Sequence, residues 1–160
     1  MPVFLFTYHA YGTWMPDREE GYVRRKQGVL PKDPEMAQRY RDLQKESTVA
    51  FDDDHQRALI DSVLQSQEPQ QFEVYYVATD PTHVHVLLGW GDDRKSLKLR
   101  SAVKSSLTRH LNKTFHRREW LVEGGSRRHV EDEEHFDYLM QTYLPSHRGW
   151  KWSKDKGLFK

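Results

Sequence analysis

Residues 72–88 constrain this fold more than any other stretch. Two short runs rich in β-branched and aromatic residues, Phe72 to Ala78 (FEVYYVA) and His83 to Leu88 (HVHVLL), are separated only by Thr79-Asp80-Pro81-Thr82. Two strands joined by a short turn of breaker residues form a hairpin, so the sheet is antiparallel at this point. Along the second strand, alternation sends His83 and His85 to one side and Val84 to the other. The chain thereby brings two imidazoles together.

The rest of the chain extends this start. Val3 to Tyr8 (VFLFTY) reads as a first strand running into the turn-prone Tyr11-Gly12-Thr13. Asp33-Pro34 opens a short helix with Met36, Tyr40 and Leu43 on one face. Asp52 to Asp54 cap a second helix carrying Ala58, Leu59, Ile60, Val63 and Leu64, which Pro69 closes. From Ser96 to about Asn112, Leu97, Leu99, Val103, Leu107 and Leu111 have helical spacing for one buried face. Trp120 to Val130, with Gly124-Gly125, supplies a further short strand. Glu131 to Glu134 suit the first turn of a last helix carrying Phe136, Leu139, Met140, Tyr143 and Leu144. Residues 15–32 show no clean period, and we read an excursion from the sheet inserted at about 15–50 of a single domain covering 1–160. The expected class is α+β: a ferredoxin-like antiparallel sheet with helices packed mainly on one face.

Composition limits the chemistry. The 160 residues suffice for one core, and although only 36% are hydrophobic and the mean hydropathy is −0.92, seven Phe, eight Tyr and five Trp can fill it. No apolar run approaches the roughly 20 residues that cross a bilayer, and Met1 to Gly12 lacks the features of a signal peptide, so no membrane partner and a cytoplasmic location are expected. With no cysteine, a metal must be held by nitrogen and oxygen donors. The net charge of +1 hides an uneven division. Residues 94–118 hold nine of the 25 basic residues and none of the 24 acidic ones, leaving 16 against 24 elsewhere. A basic helix of this kind suits a polyanion, and equally a solvated helix face.

Two neutral imidazoles on one strand can bind a divalent ion, or can simply make one sheet face polar. The surrounding sequence adds to this. Pro81-Thr82-His83-Val84-His85-Val86-Leu87-Leu88 resembles the HUH nucleases, and within them the single-tyrosine transposases, including the REP-associated tyrosine transposases. The resemblance extends to Tyr11-Gly12-Thr13-Trp14 after the opening strand, to the basic helix, to Gly124-Gly125-Ser126 and to a tyrosine on the last helix. Roughly residues 15–60 stand outside it. It implies a Mg²⁺- or Mn²⁺-dependent enzyme that nicks single-stranded DNA carrying hairpin structure and transfers strands through a 5′-phosphotyrosine intermediate. It also allows a homodimer.

In that family the nucleophilic tyrosine is commonly followed, four residues on, by a Gln or other polar third metal ligand. Tyr143 with His147 fits, so the resemblance implies His83, His85 and His147 as ligands. Tyr138, with Thr142 four residues later, is the alternative nucleophile. Pro145 disturbs the helical register between Tyr143 and His147. Lys98, Lys104 and Arg109 on the basic helix, and Arg127 and Arg128 beside the glycine pair, are the expected DNA contacts. Trp14, Trp120, Trp150 and Trp152 can stack on bases or fill the core, and core is the expectation. The competing reading of the whole chain is a non-catalytic or host-adopted nucleic-acid-binding module that recognises repetitive palindromes; in its non-catalytic form His83 and His85 are structural.

Overall fold

The computed structural model describes residues 1–13, 22–24, 28–30, 34–43 and 46–160. Trp14 and part of the expected excursion lie outside these, as do the side chains of Tyr40 and Leu43. The elements run β1 (Val3–His9), β2 (Tyr22–Arg24), β3 (Gly28–Leu30), α1 (Pro34–Leu43), α2 (Asp53–Gln70), β4 (Glu73–Thr79), β5 (His83–Gly89), α3 (Ser96–Thr114), β6 (Ser126–His129) and α4 (Glu133–Tyr138). A π-helical turn (Leu139–Tyr143) and a 3₁₀ turn (Leu144–Ser146) follow, then β7 (Lys151–Ser153) and β8 (Gly157–Phe159). One six-stranded sheet has the order β6-β1-β5-β4-β7-β8, and β2 pairs with β3 apart from it. All its pairings are antiparallel, so the α+β antiparallel class expected from the hairpin is the one observed.

Alternation along the strands divides the core in two. Phe6 and Tyr8 of β1 and Val84, Val86 and Leu88 of β5 point to the face covered by α2 and α3, where they pack with Leu59, Ile60, Val63, Leu99, Val103, Leu107 and Leu111. Leu5 and Leu87 point to the other face and join Tyr76, Ala78, Leu139 and Leu144 beneath the C-terminal helical segment. Trp120 is buried in the first cluster, and Trp150 and Trp152 pack against it half-buried.

Several details differ from the sequence reading. Leu97 is 46% exposed instead of joining the apolar face of α3, because its place on the helix turns it outward while Ser96 and Ser106 are buried. Pro69 lies within the last turn of α2, and the chain leaves the helix at Gln71, which has the left-handed φ of 55°. The last helix is not one helix, since Pro145 cannot donate to an α-helical ladder and the chain passes through a π turn into a 3₁₀ turn. The β7–β8 hairpin, which extends the sheet beyond β4, was not expected.

Two glycine contacts fix the geometry on either side of the site. Gly125 has φ of 130°, and a Cβ there would stand 2.8 Å from the Thr7 carbonyl, so glycine lets β6 close on β1. At Gly149 a Cβ would stand 2.3 Å from the Thr79 carbonyl and 2.6 Å from Gln56 Oε1. The chain after His147 is thereby pressed against the end of β4.

Candidate metal centre and tyrosine pocket

On the face opposite α2 and α3, the β1–β5 pairing sets Thr7 against His85 and His9 against His83. His147 reaches the same place from the 3₁₀ turn. Ring centroids lie 4.6 Å apart for His83 and His85, 4.5 Å for His85 and His147, and 5.6 Å for His83 and His147. One ring nitrogen from each of the three lies within 4.8 Å of the others. The His9 ring is 5.7 Å from that of His83 at the edge of the group.

Each of the three imidazoles is held through Nδ1. His83 Nδ1 donates to Asp80 Oδ1 at 3.0 Å and lies 2.9 Å from Thr82 Oγ1. His147 Nδ1 donates to the Leu144 carbonyl at 3.1 Å, and His85 Nδ1 lies 2.7 Å from Thr7 Oγ1. A carboxylate and a carbonyl only accept, so these bonds put the proton of His83 and His147 on Nδ1 and leave Nε2 with a lone pair. His85 Nε2 is buried without a hydrogen-bond partner. A buried polar atom left without a partner costs roughly 1–3 kcal/mol, and in the tautomer in which Nδ1 donates to Thr7 Oγ1 the Nε2 lone pair would be satisfied by a cation. Metal-ligating histidines are held in this way, by a carboxylate, a carbonyl or another polar group on the second nitrogen. The three histidines therefore fit a divalent cation.

The electrostatics agree with that fit. Burial, helped by the imidazoles of His83 and His147, pushes His85 down to about 2 and keeps it neutral. Burial also lowers His147, against the pull of the Leu144 carbonyl. Burial alone would raise Asp80, but the hydrogen bonds from His83 and Thr82 outweigh it and hold the carboxyl well below the usual range. Asp80 also accepts from the Thr82 and His83 backbone N–H groups, at 2.8 and 2.9 Å, so the turn that joins the hairpin is the support of the first histidine. Lys151 supports the third, since it is buried at the start of β7 and donates to the carbonyls of His147 and Gly149 at 2.7 and 2.9 Å.

Tyr143, the last residue of the π turn, stands against the histidines, its ring 5.5 Å from that of His85 and 5.2 Å from that of His147. It is half-buried. Burial raises its phenol above the ordinary tyrosine value, as does Tyr138, while Arg128 draws it down. Tyr138 is 53% exposed, with its ring 6.4 Å from that of Tyr143. Both tyrosines line a pocket of about 450 Å³ together with Thr7, Ser126, Arg128 and His135.

The expected DNA contacts are divided among three places. Arg128 pairs with Leu5 and faces this pocket, whereas Arg127 pairs with Phe6 and donates to Ser96 Oγ at 2.7 Å on the helical side. Lys98, Lys104 and Arg109 lie on α3, across the sheet from the histidines, and Arg109 lines a groove between α2 and α3. Sequence reasoning brought together His83, His85, His147 and Tyr143, and it missed Thr7, His9 and Asp80. The signal for Asp80 was its place three residues before His83 in a tight turn, and that for Thr7 was only the strand register.

No family model matches the chain, and comparison with curated proteins gives no significant match. Among solved structures it is similar to one described as a REP-associated tyrosine transposase bound to a REP hairpin, with 10% sequence identity and a TM-score of 0.48. The similarity covers 87% of this chain and 62% of the other, so the chain spans less than two thirds of that protein's length. No helix among the described residues is long and apolar enough to cross a membrane.

Proposed function

We propose that the protein is a metal-dependent enzyme that nicks single-stranded DNA beside a hairpin or palindromic element and transfers the strand through a 5′-phosphotyrosine. The observation that carries this reading is the placement of the Tyr143 ring within 5.5 Å of two of three imidazoles whose Nδ1 atoms are all engaged. His83, His85 and His147 would hold the cation, taken here as Mn²⁺ or Mg²⁺. When bound, such an ion neutralises charge developing on the phosphoryl oxygens and favours the deprotonated phenol.

The chain's own groups carry the remaining steps. Tyr143 Oη attacks the scissile phosphorus, the P–O3′ bond breaks, and the 3′ oxygen leaves as a hydroxyl after taking up a proton. The phosphodiester becomes a phosphotyrosine ester of similar energy, so a 3′-OH can later reverse the step without ATP. A phenol with an ordinary pKa near ~10, raised further by burial, is a poor nucleophile at neutral pH, and Arg128 acts against that rise. Tyr143 lies beside the histidines of its own chain, so the reaction is proposed in cis.

The test incubates the protein with labelled hairpin DNA bearing single-stranded flanks and Mn²⁺, comparing wild type, Tyr143→Phe and Tyr138→Phe. A covalent adduct that survives denaturing electrophoresis and is lost only in Tyr143→Phe supports the reading. Loss only in Tyr138→Phe moves the nucleophile. No adduct with any hairpin, including those flanking the gene, favours a binding module.

A further inference from the structure

Residues five apart on an α-helix differ by about 140° around its axis, so Tyr138 and Tyr143 on a regular helix would face different directions. The turn between them is not regular. Leu144 N–H donates to the Leu139 carbonyl, an i→i+5 bond, and in such a turn residues five apart come to lie nearly above one another. The two rings are accordingly inclined by only 30° and line the same pocket. The wide turn thus sets a second aromatic ring beside the first.

Packing does not account for that ring, because Tyr138 is 53% exposed while its neighbour Leu139 fills the core. The pocket beneath it combines an aromatic platform, a cation (Arg128) and two hydroxyls (Thr7 and Ser126) in about 450 Å³, a volume within the range of small-ligand sites. An aromatic face accepts the π-face of any base, and an arginine accepts a phosphate. We infer that this pocket is a subsite for one nucleotide, in which Tyr138 stacks on the base adjoining the scissile phosphate and Arg128 holds that nucleotide's phosphate. The inference rests on the proposed reaction at Tyr143 and assigns Tyr138 a positioning role in it.

The experiment uses the full chain with Mn²⁺ and a fluorescein-labelled hairpin with single-stranded flanks, intact or with one abasic position moved stepwise along the flank. Tyr138→Leu is compared with Tyr138→Phe and Tyr138→Trp, with thermal unfolding confirming that each variant folds. On intact DNA, Tyr138→Leu should weaken binding and raise the KM for adduct formation on the order of ten- to a hundredfold, with little change in the rate at saturation. Phe and Trp should retain function. With the base missing at one particular position, wild type and Tyr138→Leu should bind alike. A Tyr138→Leu protein that binds intact DNA as wild type does, or a penalty unchanged at every abasic position, overturns the subsite, as does a wild type that binds no single strand. If DNA binds with the expected base dependence but no adduct forms, the reaction at Tyr143 fails and the subsite stands.

Discussion

Thr7 and His85 face each other across β1 and β5, with Thr7 Oγ1 2.7 Å from His85 Nδ1. This contact leaves His85 Nε2 as the buried atom without a partner. Replacing Thr7 with Val keeps the shape and removes the hydroxyl. Metal affinity should fall about 10- to 100-fold in Thr7→Val and stay near wild type in Thr7→Ser, as read by calorimetric titration with Mn²⁺. An unchanged affinity in Thr7→Val would show that the hydroxyl does not orient the ring.

The pH dependence of stability follows from His85. Its folded-state pKa, about 2, is depressed below the ordinary value of about 6.5, so the unfolded chain takes up the proton first. The stability owed to the neutral ring is therefore complete above pH 6.5 and lost progressively as pH falls toward 2. Urea unfolding of the metal-free protein between pH 8 and pH 4 should show this loss. His85→Leu should flatten the slope below pH 6.5, and a slope unchanged by that substitution contradicts the assignment.

Gly149 is packed against the hairpin turn. A methyl group there would stand 2.3 Å from the Thr79 carbonyl, a backbone atom that cannot swing aside. Gly149→Ala should lower stability by about 1–3 kcal/mol and also weaken metal binding, because the displaced segment carries His147. Thermal unfolding and Mn²⁺ titration of the one variant measure both effects. Loss of stability with intact metal affinity would separate the packing from the site.

Three imidazoles form a nitrogen-rich donor set, which ranks divalent ions differently from a carboxylate site. Affinity should rise from Mn²⁺ through Co²⁺ to Ni²⁺, with Mg²⁺ weakest, and His147→Ala should reduce all of them. Competition titrations against a metal-sensitive dye read the order directly. A protein that binds Mg²⁺ as tightly as Ni²⁺ must use oxygen donors in place of these rings.

The elements legible in advance were those with a strong local signature. The hairpin, the buried stripe of α3 and the alternation at His83 and His85 depend on periodicity within a few residues, and the structure has all three. Thr7 was read as part of an apolar strand, because its partner is set by a register with a segment 78 residues away. Asp80 was read as a turn former, and its second use as the acceptor for His83 needs the ring orientation. The three-residue strands β7 and β8 are too short to carry a period, and the buried Lys151 looks like a surface residue until its carbonyl partners are seen. The basic helix was identified, but the side of the sheet on which it packs is a property of topology that no local pattern holds.

The edge strand β6 gives the last of these a consequence. Arg127 and Arg128 are neighbours in sequence, yet they look out on opposite sides of the sheet, one toward the helices and one toward the tyrosines. A polymer touching both must bend sharply around a rim one strand thick. Duplex DNA, with a persistence length of about 150 base pairs, resists such curvature, whereas a limp single strand follows it readily. On the proposed function, a rim that engaged both arginines would therefore favour a single strand over a duplex before any base is read.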